Sequence, residues 1–148
     1  MRVMGIDMGT KTTGIAVSDE KKIIASSREN ITSYQNIHEL ADRISERIKK
    51  LSLETIVIGN PVHMSGRKSD FFDNIQDLGK RLTQLTGIPV VYWDERLSTQ
   101  AVERTMIEGD LSRKKRKKLI NASSAQWILQ GYLDYLREKE DNKGKRQI

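Results

Sequence analysis

Residues 2–19, RVMGIDMGTKTTGIAVSD, set a single acid, Asp7, inside an apolar run. Val3, Met4, Gly5 and Ile6 have the continuous hydrophobicity of a buried strand. Gly9 marks a tight turn, and Thr13-Gly14-Ile15-Ala16-Val17 reads as a second strand. The pattern predicts a hairpin at the start of the chain with a carboxylate at its strand end. Burying that charge is costly unless a cation, such as a metal ion, meets it. The competing reading is an Asp that caps its own turn through Asx-type hydrogen bonds. The hairpin alone leaves both open.

Outward from the hairpin, the chain alternates helical and strand patterns. A third strand is expected over Lys22–Arg28, returning through the Asp19-Glu20 turn. Ile37, Leu40, Ala41, Ile44, Ile48 and Leu51 recur at helical spacing and give one apolar stripe. Glu54–Ile58 is a β-branched run ending at Gly59-Asn60-Pro61, with the character of a strand covered on both faces. Phe71, Phe72, Ile75, Leu78, Leu82 and Leu85 form a second helical stripe, stopped by Gly87 and Pro89. Val90–Trp93 reads as another strand, ending in Asp94-Glu95. Ser98 is a candidate N-cap for a short helix through Met106, closed by Gly109. A last helix is expected over Leu119–Leu136, with Ile120, Trp127, Ile128, Gly131, Tyr132 and Tyr135 inward. An antiparallel meander followed by helix–strand–helix–strand predicts an α/β fold, a mixed five-stranded sheet with helices on both faces. We expect one domain over residues 1–140 and a charged tail over 141–148, frayed from Lys143 to Ile148.

Composition narrows the function. The 148 residues suffice for one hydrophobic core, and no apolar run approaches the ~18 residues of a membrane span. No cysteine is present, which removes disulfide frameworks and thiolate metal sites and fits a cytoplasmic location. With no signal-peptide pattern before the first strand, no membrane partner is expected. A net charge of +6 favours an anionic partner. Aromatic residues make up only 5% of the chain, which argues against a base-stacking platform for single strands.

In open α/β sheets the site lies at the carboxyl ends of the parallel strands. Asp7, Asn60 and the Asp94-Glu95 pair fall at three strand ends. Alternation puts Asp94 on a face with Val90 and Tyr92, and Glu95 on a face with Val91 and Trp93, but leaves open which face Asp7 shares. A helix-capping acid and a surface ion pair would explain Asp94-Glu95-Arg96 equally well. Asn121 lies seven residues before Ile128 and eleven before Tyr132, on the apolar face of the last helix. It is either a buried Asn satisfied by backbone groups or a polar residue aimed at the strand tips. Just upstream runs Arg113-Lys114-Lys115-Arg116-Lys117-Lys118. Cations at a helix start oppose its macrodipole, so stability does not explain them, and phosphate binding accounts for them better than a solvated face. Acids at strand ends beside a basic flank are what two-metal phosphodiester chemistry requires.

Four pieces, taken in order, resemble the YqgF (RuvX) family over nearly the whole length. They are GIDMGTKTTGIAVSD (5–19), IVIGNPVHMSG (56–66), VVYWDERLST (90–99), and SRKKRKK (112–118) leading into ILQGYLD (128–134). The resemblance implies a ribonuclease H-like fold and a divalent-metal phosphodiesterase using Mg²⁺ or Mn²⁺. The implied substrates are the 5′ end of the 16S ribosomal RNA precursor or, alternatively, a four-way DNA junction. Carried over by position, Asp7 is a metal ligand, and Asp94-Glu95 supply the next acid, with Glu95 preferred over Asp94. Arg96, Ser98 and Thr99 would support the site or touch the nucleic-acid backbone, as would Lys11 and the basic run. The family usually has an Asp where this chain has Asn121, which can coordinate through its carbonyl but brings no charge. The implied assembly is a monomer or weak homodimer.

Two rivals come from other classes. The phosphate loop of the actin, sugar-kinase and heat-shock ATPase group also reads like GIDMGTKTTG, but those proteins enclose their nucleotide between two such domains. A catalytically silent nucleic-acid binder would use the basic run without needing Asp7. His38, expected to face solvent from its helix, and His63, in the loop after Pro61, each stand alone and make weak general-base candidates.

Overall fold

The computed structural model describes residues 1–60, 70–94 and 123–146. Their elements are β1 (Arg2–Met8), β2 (Thr12–Ser18), β3 (Ala25–Thr32), α1 (Ile37–Ile48), β4 (Leu53–Asn60), α2 (Asp70–Thr86), β5 (Val90–Asp94) and α3 (Ser124–Arg146). The strands form one mixed sheet in the order β3-β2-β1-β4-β5. The β1–β2 and β2–β3 pairs are antiparallel, and the β1–β4 and β4–β5 pairs are parallel. The expected α/β fold, with a mixed five-stranded sheet covered on both faces, is therefore what the chain adopts.

The period-2 alternation of β1 divides the interior into two cores. Met4, Ile6 and Met8 point to one face, where they join Leu40, Ile44 and Ile48 of α1 and Ile75, Leu78 and Leu82 of α2. Val3 points to the other, with Val57, Trp93 and the α3 residues Ala125, Ile128, Leu129, Tyr132 and Leu133. Gly5 shares that second face, and α3 crosses it closely: a Cβ at Gly5 would lie 2.7 Å from Leu129 Cβ and 3.2 Å from the Ala125 carbonyl oxygen. Trp93 anchors the same helix from β5. Its ring meets Tyr132 edge-on at 5.4 Å and Tyr135 at 5.2 Å.

Three sequence expectations need correction. The third strand begins at Ala25, not Lys22, because the Asp19 carboxylate accepts the N–H groups of Ile23 (2.7 Å) and Ile24 (3.0 Å) and closes residues 19–24 into a turn. Lys22 sits in that turn at a left-handed φ of 59°. The last helix begins at Ser124 and runs through Arg146, beyond the expected end at Leu136. Its inner stripe includes Leu129 and Leu133, while Trp127 is only half-buried. The short helix expected over 98–106 lies outside the described residues, as do residues 119–122, where the last helix was expected to start.

The outer strand β3 is not left open. Its Ala25 N–H donates to Gln130 Oε1 (3.0 Å) and its Ala25 carbonyl accepts from Gln126 Nε2 (3.2 Å). From the other face, Arg47 and Arg43 of α1 donate to the carbonyls of Glu29 and Thr32. Side chains from two helices thus occupy backbone groups that an edge strand would otherwise offer to another chain.

The close approach of α3 makes Gly5 a test of the architecture. Gly5→Val should cost about 1–3 kcal/mol through overpacking against Leu129 and the Ala125 backbone. A urea midpoint equal to that of the parent chain would show that α3 does not seat here.

Candidate metal centre at the strand tips

Asp7 follows Gly5 by two residues on β1, so its side chain stands on the α3 face, at the carboxyl end of the strand. The turn beyond it is held tightly. Gly9 N–H bonds the Thr12 carbonyl (3.0 Å), and a Cβ at Gly9 would collide with that same oxygen. Tyr34 closes the turn from below, donating to the Gly9 carbonyl (2.9 Å) and accepting from the Thr13 hydroxyl (3.1 Å). Across the hairpin, Asp7 pairs with Gly14. The glycine leaves a notch beside the acid where any other residue would put a side chain.

The start of α3 is fixed over this notch. Ser123 Oγ accepts the Gln126 N–H and Gln126 Oε1 accepts the Ser123 N–H, both at 3.2 Å, a reciprocal capping box. The same Gln126 oxygen accepts from Ser27 Oγ of β3 (2.7 Å). One side chain therefore caps the helix and ties it to the sheet. It brings the Ser124 hydroxyl to Asp7, where a hydrogen bond favours the carboxylate. Burial works against the charge and dominates, raising the Asp7 pKa above its ordinary 3.8. No cationic side chain pairs with Asp7 among the described residues. A half-buried carboxylate with only a hydroxyl for company has the donor chemistry that suits a hard divalent cation. Among the described residues it does not belong to a cluster of three metal-ligating side chains.

Asp94 and Asn60 pair in register at the tips of β5 and β4. Trp93 packs against α3, so alternation turns Asp94 to the α1/α2 face, away from Asp7. Asn60 shares that face with Ile56 and Ile58, and its Oδ1 is buried without a hydrogen-bond partner among the described residues. Lys11 is exposed in the hairpin turn, and His38 is exposed on α1. Glu95, Arg96, Ser98, Thr99, the Arg113–Lys118 run, Asn121 and His63 lie outside the described residues. The sequence reading passed over Ser124, Tyr34 and Gln126. The Ser123-x-x-Gln126 capping box was a signal available for the last of these, whereas nothing local marks Tyr34.

This geometry, a strand-end acid on the first hairpin of a mixed sheet under a helix N-terminus, defines a ribonuclease H-like protein. A model of the family described as "RuvX: Holliday junction resolvase" matches residues 1–135, and the chain belongs to that family. A Bacillus cereus protein named "Putative pre-16S rRNA nuclease" is 44% identical over 135 residues, which cover 90% of this chain and 98% of that protein. Thermus thermophilus RuvC, solved with a Holliday junction substrate, superposes with a TM-score of 0.63 at 16% identity, covering 93% of this chain and 96% of that one. A Thermus thermophilus ROK hexokinase shares the fold alone, with a TM-score of 0.50 over 72% of this chain and 38% of its own.

The raised Asp7 pKa fixes the sign of a pH effect. The metal-free folded chain holds this proton more tightly than the unfolded one. The group's favourable contribution is complete below the unfolded pKa near 3.8 and is lost as pH rises through the folded value. Asp7→Asn, neutral throughout, should melt higher than the parent chain at neutral pH in chelator and should show a flatter stability–pH profile. Equal melting temperatures across that range would contradict the assignment.

Proposed function

We propose that this chain is a divalent-metal-dependent nuclease that hydrolyses phosphodiester bonds at the 5′ end of the 16S ribosomal RNA precursor. The observation that carries this reading is the desolvated Asp7 carboxylate, which no cation among the described residues pairs, on a chain of this family. The name borne by the 44% identical Bacillus relatives favours ribosomal RNA. The family's own description supports a second reading, resolution of four-way DNA junctions. In either case the protein acts in the cytoplasm, as a monomer or weak homodimer.

Asp7 and Glu95 would hold Mg²⁺ or Mn²⁺. Glu95 is preferred over Asp94 because β5 alternation turns Asp94 to the α1/α2 face, away from Asp7. When bound, such cations activate the attacking water and stabilise the leaving oxygen. The rest falls to the chain. The Ser124 hydroxyl fixes the carboxylate of Asp7. Lys11, Arg96 and Arg113, Lys114, Lys115, Arg116, Lys117 and Lys118 hold phosphates on either side of the scissile bond, binding that weakens with salt. Asn121 offers a neutral carbonyl where the family usually has an acid.

Asp7→Asn and Glu95→Gln should each lower Mn²⁺-dependent cleavage of ribosomal precursor RNA by more than the ~10–100-fold that outer-shell changes cost. Both should leave salt-dependent RNA binding largely intact, and Asp94→Asn should do much less than either. Asn121→Asp should raise cleavage at limiting metal. Junction DNA cut faster than precursor RNA in the same assay would favour the second reading, and cleavage indifferent to Asp7 would reject both.

A further inference from the structure

Beside Asp7 and Gly14 the outer strand is irregular. Thr13 faces Ile31 and Ile15 faces Arg28, so Gly14 alone stands opposite two residues, Glu29 and Asn30. An extra residue of this kind is a β-bulge, which bends its strand and re-aims side chains. Its effect can be followed by counting. Ala25 packs in the α3 core, and Ser27 bonds Ser123, just before α3, and Gln126 within it, so both face that helix. Unbroken alternation would send Glu29 and Ile31 to the same side and Asn30 to the other. Instead Ile31 is fully buried in the core under α1 and α2. The bulge has reversed the phase, and Asn30 turns to the face that carries Asp7.

The consequence is visible at the notch over Gly14. A Cβ at that position would lie 3.7 Å from Asn30 Oδ1, 3.8 Å from Asp7 Cβ and 3.4 Å from Ala125 Cβ. The acid and the carboxamide therefore border one small space, with α3 as its third wall. Asn30 is exposed, and its carboxamide makes no hydrogen bond to another described residue. A bulge is hard to explain as a device for leaving an Asn idle.

We propose that Asn30 belongs to the divalent-cation site built on Asp7, lending its carboxamide oxygen to the cation directly or through one of the cation's waters. This rests on the reading of Asp7 as a metal ligand given above. An amide carbonyl is a hard, neutral oxygen of the type that Mg²⁺ and Mn²⁺ accept, and Mg²⁺ keeps several waters that such a group can hold. With glycine at residue 14, no side chain stands between the acid and the carboxamide.

The test is titration calorimetry of the full chain with Mn²⁺ alone, without nucleic acid. Asn30→Ala should weaken Mn²⁺ on the order of tenfold, and Asn30→Asp, which adds a charge, should bind it more tightly than the parent chain. A merely structural role for the bulge would not tighten binding in the Asp variant. Asp7→Asn separates the two claims. Binding lost in Asp7→Asn but unchanged in both Asn30 variants overturns the place of Asn30 and leaves the metal site standing. Binding unchanged in Asp7→Asn overturns the metal site, and the role of Asn30 with it. Should Asn30→Ala not fold, Asn30→Asp decides alone: tighter binding supports the proposal, and equal or weaker binding rejects it.

Discussion

The approach of α3 to the first hairpin is the constraint on which the rest of the molecule depends. The helix can lie across β1 because Gly5 presents no side chain to Leu129 and the Ala125 carbonyl. At that range Ser124 reaches Asp7, Trp93 meets Tyr132 edge-on and Tyr135 at a tilt, and the second core closes. The first core needs no such accommodation, since Met4, Ile6 and Met8 interlock with two amphipathic helices in the ordinary way. The two faces of one strand thus do different work: one supplies cohesion, the other gives up side-chain volume to bring a helix end to an acid.

Polar side chains, more than burial alone, set where that helix end stops. Gln126 and Gln130 bond both backbone groups of Ala25, and Gln130 also reaches the Ile23 carbonyl and Asp134. Both glutamines are buried, so each bond lost would leave an unsatisfied group at a cost of about 1–3 kcal/mol. Apolar packing between a helix and a sheet tolerates sliding. A pair of amides clamped to one residue's N–H and C=O does not, and the register they fix is inherited by Ser123 and Ser124 one turn earlier.

Much of this was legible in the sequence. The run 2–19 announced a hairpin with an acid at its end, the helical stripes placed α1 and α2, and four motifs in order identified the family. Asp7 stood out because a charge in an apolar run demands a reason. What escaped the sequence depended on phase and distance. Alternation paired Asp94 with Tyr92, but only the packing of Trp93 on α3 shows that this is the α1/α2 face. The start of β3 was misread because Ile23 and Ile24 are strand-like, while a carboxylate four residues upstream folds them into a turn. Asn30 could not have been found at all. Its orientation is set by one unpaired residue, and a bulge leaves no signature in a stretch as mixed as SSRENIT.

The electrostatics around Asp7 explain why so much structure converges on it. A helix N-terminus favours a nearby anion by about 0.3–1 kcal/mol at an exposed site. Here the capping box spends the Ser123 and Gln126 N–H groups on each other's side chains, and among the described residues the acid receives the Ser124 hydroxyl. Desolvation outweighs that hydroxyl, since the Asp7 pKa rises where a helix end and a hydrogen bond would both lower it. The fold therefore holds this carboxylate in a less favourable state than water would. It does so at the tip of a strand, beside a notch, with a carboxamide turned toward the same space by a bulge. Each feature costs some stability or regularity, and none of the described residues supplies a cation that offsets the burial of the acid.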